Sequence, residues 1–133
     1  MTHPRPTTAA LRVGLAGVGR FGQLHAAVLA DLPGVNLVAL ADPDHGRLTA
    51  VAERHGVRTL YGDAQQLIED VNLDAVILAT PDDQHSAQAQ AALQRGLPLF
   101  VEKPLAANWA DAQALQQRAQ ARGTLLQVGM ILR

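Results

Sequence analysis

Two spacings of apolar residues alternate along this chain, and the alternation predicts its elements. Leu11, Val13, Leu15 and Ala16 form a short apolar run, the pattern of a strand covered on both faces. Gly17-Val18-Gly19-Arg20-Phe21-Gly22 follows. Phe21, Leu24, Val28, Leu29 and Leu32 then recur at helical spacing until Pro33-Gly34 stops them. Val35 to Leu40 reads as a second buried strand, ending in Asp42. Leu48, Val51 and Ala52 mark a short helix that stops near His55-Gly56, and Val57 to Tyr61 a brief third strand. Gly62-Asp63 offers a turn and an N-cap for a helix carrying Leu67 and Ile68.

The second half repeats the alternation. Asp74 to Ala79 (DAVILA) is apolar and β-branched, and Thr80-Pro81 closes it. Asp82 or Asp83 is expected to cap the next helix, whose Ala89, Ala92 and Leu93 face the sheet before Gly96 ends it. Leu97 to Val101 is a fifth strand running into Glu102-Lys103-Pro104. Asn108 reads as an N-cap with Asp111 as its partner, opening a helix through Leu115 and Ala119 to Gly123. Leu125, Leu126, Val128 and Met130 make a final strand, and Arg133 is the last residue. Six strands separated by helices require parallel pairing and right-handed crossovers. The expected fold is therefore α/β, a doubly wound parallel sheet of the Rossmann type in the order 3-2-1-4-5-6. Residues 1–10 are expected to be a flexible tail and residues 11–133 one dinucleotide-binding domain.

That order brings the ends of strands one, two, four and five together at one edge, where the ligand of such a sheet lies. Each glycine of the G-x-G-x-x-G turn has a task there. Gly17 makes the tight turn, Gly19 admits a pyrophosphate, and Gly22 lets the helix lie close to the sheet. The helix N-terminus offers free N–H groups to the phosphates. Asp42, about twenty residues on, suits the ribose hydroxyls. The competing account is an ordinary strand–turn–helix with a solvated Asp42. The surrounding strands and helix favour a dinucleotide site.

Composition narrows the classes. With 133 residues, 48% hydrophobic and 17% charged, the chain is long enough for one packed core and too apolar for a disordered one. Eleven basic against twelve acidic residues, with no basic–aromatic patch, argue against nucleic acid. Without cysteine there is no disulfide or thiolate chemistry, which fits a reducing cytoplasm. No stretch has the length of a membrane span or signal-peptide core, so a soluble protein is expected.

Lys103 is the candidate catalytic residue. Near an oxidised nicotinamide its ammonium form is disfavoured, and it can then exchange a proton with a substrate hydroxyl. A surface lysine paired with a nearby acid is the alternative. The cofactor-binding candidates are Gly17, Gly19, Arg20, Phe21, Gly22, Asp42, Arg47, Thr80, Pro81, His85, Glu102 and Lys103. Glu102 either orients Lys103 or meets cofactor, and Thr80-Pro81 either starts a helix or faces the cleft. Arg47 is read as an adenine-stacking or 2′-phosphate group. Because Asp42 repels a 2′-phosphate, NAD is expected over NADP. His25 is expected to be packed or hydrogen-bonded, His45 and His55 solvated, and His85 at the cofactor side of its helix. The D-D-x-H of Asp82, Asp83 and His85 is too sparse for a metal site, so none is assigned. Trp109 is expected in the core.

Taken together, Gly17–Gly22, Ala41-Asp42-Pro43, Ala79-Thr80-Pro81 with His85, and Glu102-Lys103-Pro104 resemble the Gfo/Idh/MocA family of glucose–fructose oxidoreductase and inositol dehydrogenase relatives. The likeness covers the chain after its tail. It implies hydride transfer between NAD or NADP and a hydroxyl of a sugar, cyclitol or similar polyol, with Lys103 matching the family's substrate-contacting lysine and Asp42 its acid. The family continues into a second α/β domain that carries most of the substrate pocket and the oligomer interface, and this chain stops at the last strand of the first. It is therefore expected to bind cofactor without being complete for catalysis, and exposed apolar surface could then favour a homo-oligomer. A non-catalytic NAD(P) sensor or partner module is the alternative. A methyltransferase is disfavoured by the glycine spacing and by Glu102-Lys103-Pro104.

Overall fold

The computed structural model describes residues 10–129, so the expected tail (apart from Ala10), Met130 and Arg133 lie outside the described residues. Six strands pair in parallel: β1 (Leu11–Ala16), β2 (Val35–Ala41), β3 (Thr59–Tyr61), β4 (Ala75–Leu78), β5 (Leu99–Val101) and β6 (Leu126–Val128). Their order is β3-β2-β1-β4-β5-β6, as the sequence predicts. The helices are α1 (Arg20–Asp31), α2 (His45–His55), α3 (Ala64–Ile68), α4 (His85–Gln94) and α5 (Trp109–Arg122).

Short polar side chains set the helix starts. Asp44 accepts from Arg47 N at 3.0 Å, Asp63 from Gln66 N at 2.8 Å and Asn108 from Asp111 N at 2.9 Å. Each satisfies an amide that the first turn leaves unpaired. Gly56 and Gly123 end α2 and α5 in the left-handed conformation.

The helices form two layers. Leu15 and Leu40 pack with Ala26 of α1 and Leu48, Val51 and Ala52 of α2. Val76, Leu78, Leu99 and Val101 pack with Leu67, Ile68, Ala89, Ala92, Leu93, Leu115 and Ala119 from the other three helices. On the α1 side, Leu29, Ile77, Pro98, Phe100 and Leu125 line an apolar groove of about 170 Å³.

Three expectations change. The residues of α1 that meet the sheet are Gly22, Ala26 and Leu29, while Phe21, Leu24, Val28 and Leu32 are exposed. The N-terminal half of the helix is seated through glycine and alanine, too close to the sheet for bulkier residues, and of the expected stripe only Leu29 makes the contact. Asp82 and Asp83 do not cap α4. They lie in a 3₁₀ turn over Asp82–Gln84 and α4 opens at His85 without a side-chain cap, so the acids come too early in the chain. Trp109 is 77% exposed, because the inner face of α5 is built from Leu115 and Ala119 instead.

Candidate functional site

The glycine turn joins β1 to α1 at the carboxyl edge of the sheet. Gly17 has φ +95°, and a Cβ there would lie 2.4 Å from the Ala79 carbonyl oxygen. A Cβ on Gly22 would lie 1.8 Å from the Gly17 carbonyl oxygen. These two glycines are demanded by the protein itself. Gly19 is different: nothing lies within 4 Å of the position a Cβ would take. Nor does any side chain cap α1 at Gly19. Open space beside uncapped first-turn amides fits a diphosphate, for which those N–H groups are donors.

Asp42 sits just past β2 and is 5% exposed. Its Oδ2 accepts from Val18 N at 2.9 Å, which ties the β2 end to the glycine turn. Its Oδ1 accepts from Asp44 N at 2.8 Å. Arg47 Nη2 approaches both oxygens, at 3.2 and 3.3 Å. Three donor atoms thus make four contacts with a carboxylate that has roughly four acceptor positions. Two belong to the backbone, while the Arg47 side chain is 44% exposed and can leave.

A cleft of about 540 Å³ opens along this edge. Of the expected residues, Gly17, Gly19, Arg20, Phe21, Asp42, Arg47, Thr80 and Pro81 line it, whereas Gly22, His85, Glu102 and Lys103 do not. Gln65, Gln84 and Gln88 line it as well and were missed by the sequence reading. The legible signal was position: Gln65 and Gln84 sit at or just before helix starts on the ligand edge, and Gln88 lies one turn into α4. Thr80 Oγ1 and Gln88 Oε1 are hydrogen-bonded across the lining.

The remaining candidates stand beside the cleft. His85 is fully buried, its Nδ1 2.7 Å from the Pro104 carbonyl oxygen and its Nε2 2.7 Å from that of Thr80. It joins two turns instead of facing the cleft. Glu102 is hydrogen-bonded with His25 of α1. Lys103 is exposed and makes no hydrogen bond or ion pair with the described residues. His45 is exposed and His55 half-buried. Asp82, Asp83 and His85 do not converge, and no group of three or more metal-binding side chains forms among the described residues. No described helix is long and apolar enough to cross a membrane.

Comparison with known proteins places this geometry. Residues 11–130 match the family model described as an oxidoreductase family with an NAD-binding Rossmann fold. The chain is 35% identical over 119 residues to 4-carboxy-2-hydroxymuconate-6-semialdehyde dehydrogenase of Sphingobium sp., covering 90% of this chain and 38% of that protein. It is 34% identical over 124 residues to scyllo-inositol 2-dehydrogenase (NAD(+)) of Bacillus subtilis, covering 92% and 36%. Among solved structures, scyllo-inositol dehydrogenase from Lactobacillus casei with bound NAD(H) and scyllo-inositol superposes with a TM-score of 0.85 at 26% identity, covering 90% of this chain and 36% of that one. The chain thus spans little more than a third of the length of these relatives.

Proposed function

Because the chain belongs to the Gfo/Idh/MocA oxidoreductase family, we propose that it is the cofactor-holding part of an enzyme that moves hydride between NAD and a hydroxyl-bearing carbon of a sugar, cyclitol or similar polyol. The observation that carries this reading is the convergence, at one edge of the sheet, of an open glycine turn with a buried carboxylate tied to it. Amides at the start of α1, with Gly19 and Arg20, hold the diphosphate. Asp42 accepts the ribose hydroxyls once Arg47 swings aside, and Thr80 and Pro81 face the cofactor. NAD held in this way would supply the hydride acceptor or donor. Lys103 Nζ, in the turn after β5, takes the substrate hydroxyl proton during oxidation and returns it during reduction. Further substrate contacts come from a second domain of the kind the family resemblance implies.

Asp42 also sets the cofactor preference, since a 2′-phosphate would meet its negative charge. Calorimetric titration of this chain with NAD and NADP tests the reading. NAD is expected to bind more tightly. Asp42→Ala should weaken it by about 1 kcal/mol or more, the scale of lost charged hydrogen bonds. Arg47→Ala should leave NAD binding intact or improve it, because it frees two acceptor positions on Asp42. Absence of heat with both nucleotides, or unchanged NAD affinity in Asp42→Ala, would overturn the assignment.

A further inference from the structure

Lys103 is the only lysine in the chain, beside ten arginines. Each of its chain neighbours is gripped by a histidine, and the two histidines come from opposite faces of the sheet. Glu102 is hydrogen-bonded with His25 of α1. The His25 ring stands edge-on to Phe100 of β5, with centroids 5.3 Å apart. On the other side, the Pro104 carbonyl faces Nδ1 of His85, the first residue of α4. The same ring reaches back to the Thr80 carbonyl in the turn after β4.

The grips have a shared origin. α1 begins at the glycine turn, and α4 follows the Thr80-Pro81 turn, so both helices open beside the same cleft. Strand β5 is only three residues long, and beyond it Glu102 N donates to the Leu78 carbonyl. A lysine has a long, freely rotating stem, and misplacing a reacting group by about 1 Å can cost on the order of a hundredfold in rate. A turn carrying such a residue needs anchors of its own. His25 is 23% exposed and Glu102 14% at the side chain, while His85 is wholly buried. Asp82 and Asp83, the acids of the neighbouring turn, form no ion pair with Lys103.

We propose that His25 and His85 are positioning residues. They clasp the Glu102–Pro104 turn between the two helices that open on the cleft, and so fix where Lys103 Nζ stands relative to the bound cofactor. Neither histidine touches a reacting atom. The proposal rests on the reading of Lys103 as the proton-handling group.

The single lysine makes the test clean. The chain is acetylated with an N-hydroxysuccinimide ester, with and without saturating NAD. Modification at Lys103 is read by peptide mass spectrometry against the chain's α-amine, and NAD affinity is followed separately by calorimetry. NAD is expected to slow acetylation of Lys103 several-fold. His25→Leu and Glu102→Ala, which break one contact from its two ends, should lose that protection while still binding NAD. His25→Gln, which can still donate to Glu102, should keep it, and His85→Gln, which removes the ring standing between the two carbonyls, should lose part of it. Full protection in both His25→Leu and Glu102→Ala overturns the clasp. So does loss of NAD binding in both, which would make the contact a support of the fold, or failure of His25→Gln to preserve protection. No protection in the unaltered chain with NAD bound overturns the role of Lys103 itself, and the clasp with it.

Discussion

Asp42 is fully engaged before any ligand arrives, and two of its four contacts come from one movable arginine. The acid at the end of β2 is legible from its distance to the glycines. The arginine that covers it is not, because nothing in the spacing of residues 42 and 47 says whether Arg47 faces the carboxylate, an adenine or solvent. A second pair lies away from the cleft. Tyr61 Oη donates to Asp70 Oδ2 at 2.6 Å, and Asn72 N donates to Oδ1 of the same acid at 2.8 Å. The Tyr61 hydrogen bond is the main cause that holds the Asp70 carboxyl below its usual range, and it holds the Tyr61 phenol above its own. The Asp70 contribution is therefore complete above the ordinary carboxylate range and lost as pH falls through its lowered folded value. The Tyr61 contribution is complete below the ordinary phenol range and lost as pH rises through its raised one. Tyr61→Phe should cost about 1 kcal/mol at neutral pH. That difference should disappear in strong acid, as measured by urea unfolding. An equal penalty at both pH values would show that the ring's packing, and not the hydrogen bond, carries the effect.

At the scale of elements, α1 is held by contact rather than by amphipathicity. Its seat is Gly22, Ala26 and Leu29, and the closest approach is backbone to backbone. Gly22→Ala must push the start of α1 away from the Gly17 carbonyl, since the clash is with an atom that cannot rotate aside. It should lower stability by about 1–3 kcal/mol or more and weaken NAD binding as well, checked by thermal unfolding and calorimetry. Gly19→Ala offers the contrast: the folded chain has room for the methyl group, so stability should hold while NAD affinity falls. Most element boundaries follow from local chemistry, as at Asp63 with Ala64–Ile68 and Asn108 with Trp109–Arg122. The misreadings have a common cause. Helical spacing in Phe21, Leu24, Val28, Leu29 and Leu32 reports a helix, but only the tertiary approach decides which stripe is inside, and of these five Leu29 alone is buried, beside the small Gly22 and Ala26. Likewise the 3₁₀ turn after Pro81 moves the start of α4 beyond the acids that local rules nominate as caps.

For the whole molecule, strand order was readable because six short strands with helical connections leave few right-handed ways to wind a sheet. That apolar surface would be exposed was expected; which residues the two layers leave uncovered was not readable. The groove over Ile77, Phe100 and Leu125 lies open on the α1 side, and Leu24, Val28 and Leu125 are 58%, 60% and 64% exposed. Exposed apolar side chains beside an open apolar groove favour association. Sedimentation velocity of the isolated chain should show mass rising with concentration, and Val28→Glu with Leu125→Glu should suppress the rise. Sedimentation as a monomer at every concentration would mean that this face is tolerated by water. The clasped turn has a practical consequence too. With one side-chain amine in the whole sequence, coupling to a support through lysine would orient each attached molecule with the carboxyl ends of its strands toward the matrix. A column prepared that way would retain folded protein and yet be poor at capturing nucleotide.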